Sequence, residues 1–563
     1  MIKDAFAASY DVCVIGSGPA GLTAAIELAD QGLSVALVES GEQMATNAAQ
    51  RLSDAQIVTP VAHSVMGEAV WRGLGGTSNI WGGRCVPLDA IDFLRRDFVT
   101  GSGWPFDETA LQPHYPRACA ILDAGQANFS INDCASAKSR HVNLSTNFAD
   151  TDQLRATELE RWCTEPKLWI VHKDKVITHP LITVLAGLTC VGFEQTALHA
   201  AVDTALLKTT SSPESFPIKL HAKFIVLACG GVETTRLVLN SIRDATGLKL
   251  TSNGLVGRYY MGHPSGKIAD IQLTGNPSKT LYGFEVDDGV YVRRRITFRP
   301  DCLQKHELLN IAFWLDNAPI SDWRHGSGVL SAAYLALTAP VIGRFLAPAA
   351  IRKRVGGGAG NNRLRHLVNC ARSPIKTLGF CFRFCYQRYL AKPRIPGFFT
   401  YSANNRYALH YHGEQVPNWN STIDLSDEVD AVGLRRARIN LKWSTQDVDS
   451  IIKAHAVLDE ALQVNGVGRL IYRYPKDELA KTIHEQAVDG FHQIGTLRMG
   501  VDASTGVTDS FGRLFGTSNC FVASSAIFPT SGQANPTLPI VALTVRQAKH
   551  IAQLLNTKEF AGA

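Results

Sequence analysis

The run Tyr10-Asp11-Val12-Cys13-Val14-Ile15 is almost continuously apolar, as a parallel strand buried on both faces must be. Gly16-Ser17-Gly18-Pro19-Ala20-Gly21 follows without a break. LTAAIELADQG then reads as a helix, with Leu22, Ala25, Ile26 and Ala29 on one face and Gly32 at its end. Ser34 to Val38 predicts a second strand, closed by Glu39, 18 residues after Gly21. Each part has a mechanical reason. Gly16 permits a tight turn, Gly18 lets backbone N–H groups approach a pyrophosphate at the helix N-terminus, and Gly21 lets helix and strand pack closely. Glu39 can accept hydrogen bonds from ribose hydroxyls, which favours an unphosphorylated ribose, as in NAD or FAD. The expected fold class is therefore α/β, built on a doubly wound nucleotide-binding unit.

Further blocks follow in order. Arg72 to Gly83 holds Gly75, Gly76, Thr77, Asn79 and Gly82 around Ile80 and Trp81, a density of glycine that suits backbone pressed against a flat ligand. Phe224 to Asn240 repeats the strand, glycine and helix theme. Late in the chain come His492-Gln493-Ile494-Gly495-Thr496-Leu497-Arg498-Met499-Gly500, then a strand ending at Ala523, then Ser524 to Thr530. Asn535-Pro536-Thr537-Leu538-Pro539-Ile540 leads into a helix to about Leu555.

These blocks resemble the glucose-methanol-choline family of FAD-dependent oxidoreductases over about 1–125, 160–270 and 405–563. The resemblance includes Gly257 to Pro264 (GRYYMGHP) and His412 to Ser421 (HGEQVPNWNS). It implies a hydride passed from an alcohol carbon to the flavin N5 while a histidine takes the hydroxyl proton. The family's catalytic histidine falls on His492 and its partner position on Asn535. An alcohol is a poor hydride donor until its O–H is being deprotonated, and a neutral imidazole suits that task. The implied cofactor contacts are Gly16, Gly18, Gly21, Glu39, Gly75, Gly76, Thr77, Asn79, Gly82, Ser524, Asn535 and Thr537. Ile80 stands where some relatives carry the histidine bonded to the flavin, so noncovalent FAD is expected. Ser524 stands where an Asp is common. His263 and the pair His410 and His412 are further candidates, the pair because alternate residues of a strand share a face. No metal is expected.

The implied organisation is a discontinuous Rossmann-like FAD domain, residues 1–270 and 485–563. A substrate-binding domain of mainly antiparallel sheet and helices, 271–484, is inserted between. The DVDSIIKAHAVLDEALQ pattern after Thr445 predicts an amphipathic helix within the latter. The style of the C-terminal blocks resembles bacterial members acting on sugar or aminoglycoside hydroxyls. The substrate is then a small-molecule alcohol, with oxygen or another electron acceptor left open. Competing readings are a flavin monooxygenase or amine oxidase sharing only the fingerprint, against which the His492 and Asn535 pair argues, and a membrane-recruited flavin protein without catalysis.

The formal net charge of +6 hides an uneven distribution. From Trp323 to Gly413 there is no Asp or Glu, against 14 Lys and Arg; the remainder carries 42 basic and 50 acidic residues, a net of −8. This basic insert adds aromatics such as Phe380, Phe382, Phe384, Tyr386 and Tyr389 to an apolar stretch from Leu330 to Ala350. Three readings stand open: contact with an anionic leaflet, binding of an anionic partner or substrate, or a solvated cap. No nucleic-acid module accompanies the charge, so no nucleic-acid partner is expected. The 12 Cys form no CxxC pair and read as reduced core thiols. No secretory signal is visible in MIKDAFAASY, and the expected location is cytoplasmic, with peripheral attachment at the inner membrane face left open by the insert.

Overall fold

The computed structural model describes residues 9–134, 150–196, 200–212, 214, 216–244, 247–251, 254–277, 280, 282–346, 355 and 362–556. The density of Pro and Gly between 339 and 397 reads as an irregular insert, but the structure forms helices there at Arg363–Arg372 and Pro374–Cys385; Gly356 to Gly358 and Arg352 to Arg354 lie outside the described residues.

The fingerprint folds as a strand Tyr10–Ile15, a helix Pro19–Ala29 and a strand Val35–Glu39. Both strands are buried along nearly their whole length, which is why the sequence shows apolar runs rather than alternation. They sit in a seven-stranded sheet. Its parallel part runs Ile182–Ala186, Val35–Glu39, Tyr10–Ile15, Ile218–Leu227 and Cys520–Val522. Ile218–Leu227 joins the parallel and antiparallel parts of this sheet. Its first half pairs antiparallel with Val202–Thr209, Leu220 opposite Ala205, and its second half runs parallel to Tyr10–Ile15, Val226 opposite Val14. The last strand comes from the far end of the chain, so the nucleotide-binding unit is discontinuous and doubly wound. Helix Thr537–Asn556 then packs on helix Pro19–Ala29.

The second sheet is six-stranded and antiparallel: Gly468–Tyr472, Ser265–Leu273, Arg406–Gly413, Ile311–Asp316, Ile296–Phe298 and Leu154–Arg155. The division expected at residue 270 falls within Ser265–Leu273, and Leu154–Arg155 supplies the far edge. Helix Thr445–Val464 covers this sheet. Ser444 caps it in a reciprocal bond with Asp447, and Val448, Ile451, Ala454, Val457, Leu458 and Leu462 are buried against Ile271, Phe313 and Tyr411.

The basic insert is mixed in structure. Gly328–Thr338, Arg363–Arg372 and Pro374–Cys385 are helices lying outside the sheets. Arg406–Gly413, by contrast, is an interior strand of the six-stranded sheet. Among the described residues no helix is long and apolar enough to cross a membrane.

Gly21 and Gly82 separate two uses of glycine. A Cβ on Gly21 would stand 1.7 Å from the Gly16 carbonyl oxygen, whereas one on Gly82 would meet nothing within 4 Å. Gly21→Ala is expected to cost about 2–3 kcal/mol of stability by forcing helix and strand apart. Gly82→Ala should stay within about 0.5 kcal/mol of the parent, as a surface change does. Urea midpoints of the two variants measure this directly, and equal midpoints would refute the close-packing role of Gly21.

Candidate active site

A cleft runs along the C-terminal ends of the parallel strands. Its lining takes Gly16, Gly18, Glu39, Gly76, Thr77, Ser524 and Thr537 from the expected cofactor residues. The first residues of three helices line it too: Pro19, Gly231 and Thr537. The helix dipoles, and the free N–H groups of the first turns apart from Pro19, favour an anion such as a pyrophosphate. A Cβ on Gly76 would sit 2.7 Å from the Gly18 Cα, so the two glycine loops press backbone to backbone.

Glu39 accepts from the Ser17 amide at 3.0 Å, the Ser17 hydroxyl at 2.8 Å and the Gly41 amide at 3.0 Å. It thus ties the end of the second strand to the first loop while bordering the cleft. Gly75 and Asn79 act within the second loop, the Asn79 amide donating to the carbonyls of Leu74 at 3.0 Å and Gly76 at 2.9 Å. Gly21 serves packing, and Gly82 is exposed and stands off the lining. Ser524 points its hydroxyl at the Ala526 amide, 3.3 Å away. Arg72 and Glu233, which the motifs did not single out, form a buried ion pair on the cleft wall. These residues fit FAD: the glycine loops and helix ends would hold its pyrophosphate, and the Glu39 end its ribose.

His492 lies between Phe491 and Gln493, both in the cleft wall, and Asn535 immediately precedes the lining residue Pro536. The two are 43 positions apart in sequence, yet the Asn535 Nδ2 is 3.1 Å from the His492 Nε2. On its other side the His492 Nδ1 is 2.9 Å from the His263 Nδ1 and 3.3 Å from the Asp489 Oδ2. The pattern places a proton on Nδ1 and leaves Nε2 as the acceptor.

Asp489 is the residue that sequence reading missed. Its Oδ1 accepts from the amides of Gly490, Phe491 and His492 at 2.8, 2.9 and 3.1 Å, and its Oδ2 accepts from the His263 amide at 2.7 Å. The signal was the Asp-Gly pair three residues before His492, a turn that an aspartate stabilises through its own backbone. His263 and His412 join the cluster. Their rings stack at 4.3 Å, and His263 meets His492 edge-on at 4.7 Å. One ring nitrogen from each of His263, His412 and His492 lies within 4.8 Å of the others. The chain shows no such grouping in one dimension. The strand Arg406–Gly413 does turn His410 and His412 to one face, but His410 stacks on Trp314 at 4.3 Å rather than on His492.

Burial dominates the electrostatics. It drives His263 and His412 well below the usual imidazole range, helped by the neighbouring histidines, and it pushes His410 down to about 4. Those three rings are neutral at ordinary pH. Burial alone would raise the Asp489 carboxyl, but the charge and hydrogen bond of His492, together with His263, hold it well below the usual carboxylate range.

That depression fixes the sign of a pH effect. A carboxyl held below its unfolded value of about 4 stabilises the fold above that pH and loses the contribution as pH falls toward the native value. Asp489→Asn is expected to lower the urea-unfolding free energy by about 1–3 kcal/mol at neutral pH, through its unpaired buried donors. The difference from the parent should shrink below about pH 4. A gap that stays constant down to the acid transition would overturn the assigned role.

Comparison with known proteins agrees with this geometry. A family model described as GMC oxidoreductase matches residues 417–544, and one described as FAD binding domain matches 11–255. Paromamine 6'-oxidase of Streptomyces fradiae is 22% identical, over 96% of this chain and 91% of its own. 6'''-hydroxyparomomycin C oxidase of Streptomyces lividus is 21% identical, over 97% and 92%. The crystal structure of pyridoxine 4-oxidase from Mesorbium loti shares the fold with a TM-score of 0.54 at 14% identity, over 96% of this chain and 99% of that one. The two matched segments bracket the cleft, one supplying its glycine loops and the other His492 and Asn535, and the chain belongs to the GMC oxidoreductases, FAD-dependent enzymes that act on CH–OH groups.

Proposed function

We propose that the chain oxidises a hydroxyl-bearing carbon of a sugar or glycoside, with His492 taking the hydroxyl proton and Asn535 holding the oxygen. One observation carries this reading: the Asn535 Nδ2 and His492 Nε2, 3.1 Å apart, form a donor and acceptor pair beside the cleft wall. An alcohol oxygen seated there accepts from the amide N–H and gives its proton to Nε2. As the proton leaves, the oxygen's growing charge weakens the adjacent C–H bond. Bound FAD supplies the two-electron acceptor for the hydride.

The surrounding residues support the proton step. The Asp489 carboxylate, 3.3 Å from the His492 Nδ1, faces the positive charge that His492 acquires. Four backbone amides fix that carboxylate, so it need not reorganise. His263 and His412 stay neutral and add no competing cation. The sugar assignment rests on the two Streptomyces relatives, whose names place their chemistry on aminoglycoside hydroxyls. Ile80 supports a noncovalent cofactor, since it offers no nucleophile to the flavin. The acceptor is oxygen or a second redox partner, and the proposed location is cytoplasmic, peripheral at the inner membrane face.

Anaerobic mixing with sugars, glycosides and simple alcohols tests the reading, with bleaching of the flavin as the signal and later admission of air to identify an oxidase. His492→Ala should slow bleaching by about 10²–10⁴-fold, the usual worth of a general base. Asn535→Ala should slow it by about a hundredfold, as loss of one oxyanion donor does. Bleaching at the parent rate in His492→Ala, or reduction by NAD(P)H or amines instead of alcohols, would sink the proposal. Acid precipitation should release yellow flavin into the supernatant.

A further inference from the structure

We propose that the helices Arg363–Arg372 and Pro374–Cys385, with the turn Tyr386–Leu390, form a docking surface for an anionic membrane leaflet. Their amphipathicity is inverted. The inward face is polar: the His366 Nδ1 is 3.0 Å from the Ser331 hydroxyl, and the Asn369 amide donates to the Trp323 carbonyl at 2.8 Å. His366, Asn369 and Thr377 are buried there. The outward face holds the large apolar side chains. Leu364 is 71% exposed, Ile375 87%, Leu378 70%, Phe382 80% and Leu390 76%.

Leu364 and Leu367 share one side of the first helix, and Ile375, Leu378 and Phe382 share one side of the second, which the turn extends through Tyr386 and Leu390. A soluble surface rarely shows so many large apolar groups together without something to cover them. Tyr386 and Tyr389, each 54% exposed, close the stripe with residues that favour a lipid–water boundary.

Charge decides the occupant. Arg363, Arg365, Arg372, Lys376 and Arg383 are exposed along the same helices, and no acidic residue occurs anywhere from 323 to 413. A second copy docked face to face would oppose cation to cation with no carboxylate of this segment to relieve it. An anionic leaflet accepts both features at once: the apolar groups enter the headgroup boundary and the guanidinium and ammonium groups meet lipid phosphates. With no membrane-spanning helix among the described residues, the attachment is peripheral.

The inner side of the second helix packs toward the six-stranded sheet. Phe380 and Phe384, on the other side of the same helix, pack against Phe398 at 5.5 and 5.6 Å. Phe384 continues into a cluster with Trp162 and Tyr291. Arg293 lies over Trp162 at 5.4 Å and over Trp314 at 5.0 Å, and Trp314 stacks on His410. A chain of ring and cation–ring contacts therefore links the helix that bears the docking face to His410.

Vesicle co-sedimentation of the full-length holoenzyme tests the proposal. The protein should pellet with phosphatidylethanolamine–phosphatidylglycerol vesicles at low salt, stay in solution with phosphatidylcholine vesicles, and leave the anionic vesicles at high salt. The double variant Leu378→Glu, Phe382→Glu should bind at least about tenfold less, through lost insertion and added repulsion, while retaining flavin and alcohol turnover. Any of four results overturns it: no binding to anionic vesicles, binding that ignores lipid charge, undiminished binding by the double variant, or a parent protein that sediments as a dimer dissolved by those substitutions.

Discussion

The structure depends on the pairing of Cys520–Val522 with Ile218–Leu227. This contact closes the nucleotide-binding sheet with a strand drawn from the far end of the chain. The buried Asn519 side chain secures it, accepting from the Val202 amide at 2.8 Å and donating to the carbonyls of Val202 at 2.9 Å and Lys223 at 2.6 Å. Each of these satisfies a polar group that would otherwise be buried alone. With the strand in place, the segments on either side of it arrive at the mouth of the first glycine loop. One carries His492 and the other Asn535, so the glycine-loop cradle and this pair are positioned by the same sheet.

Around His492 the protein places one buried carboxylate and two neutral rings. Asp489 is the negative group nearest His492, and its two oxygens are held by four backbone amides while it also faces the imidazole Nδ1. Burial removes positive charge from His263 and His412, the two rings that adjoin His492. The cluster is thus polar, with the buried Asp489 carboxylate as its charged member.

The insert shows how a sequence average conceals an architecture. Its acid-free stretch is continuous in sequence, yet it divides in space. Arg406–Gly413 is an interior strand of the substrate-side sheet, whereas 363–390 is an outlying helical pair. His412 belongs to the first and the exposed Phe382 to the second. The charge pattern alone did not distinguish these fates, because hydrophobic periodicity gives the face of an element and not what lies against that face.

By itself the sequence determined the nucleotide-binding unit. Buried parallel strands demand apolar runs, and close turns demand Gly16 and Gly21, so the local pattern is forced and readable. The order of the later blocks likewise determined His492 and Asn535 as the candidate pair. Only the tertiary structure decided the rest: that Asp489, His263 and His412 converge on His492, that Asn79 and Gly75 shape a loop instead of lining the cleft, and that residues near 154 and 265 join a sheet with those near 410. The physical reason is common to all of these. They are contacts between segments about 80 or more residues apart, or ones within a loop whose path is set by such contacts, and no local propensity records which distant backbone will satisfy a given carboxylate or cover a given ring.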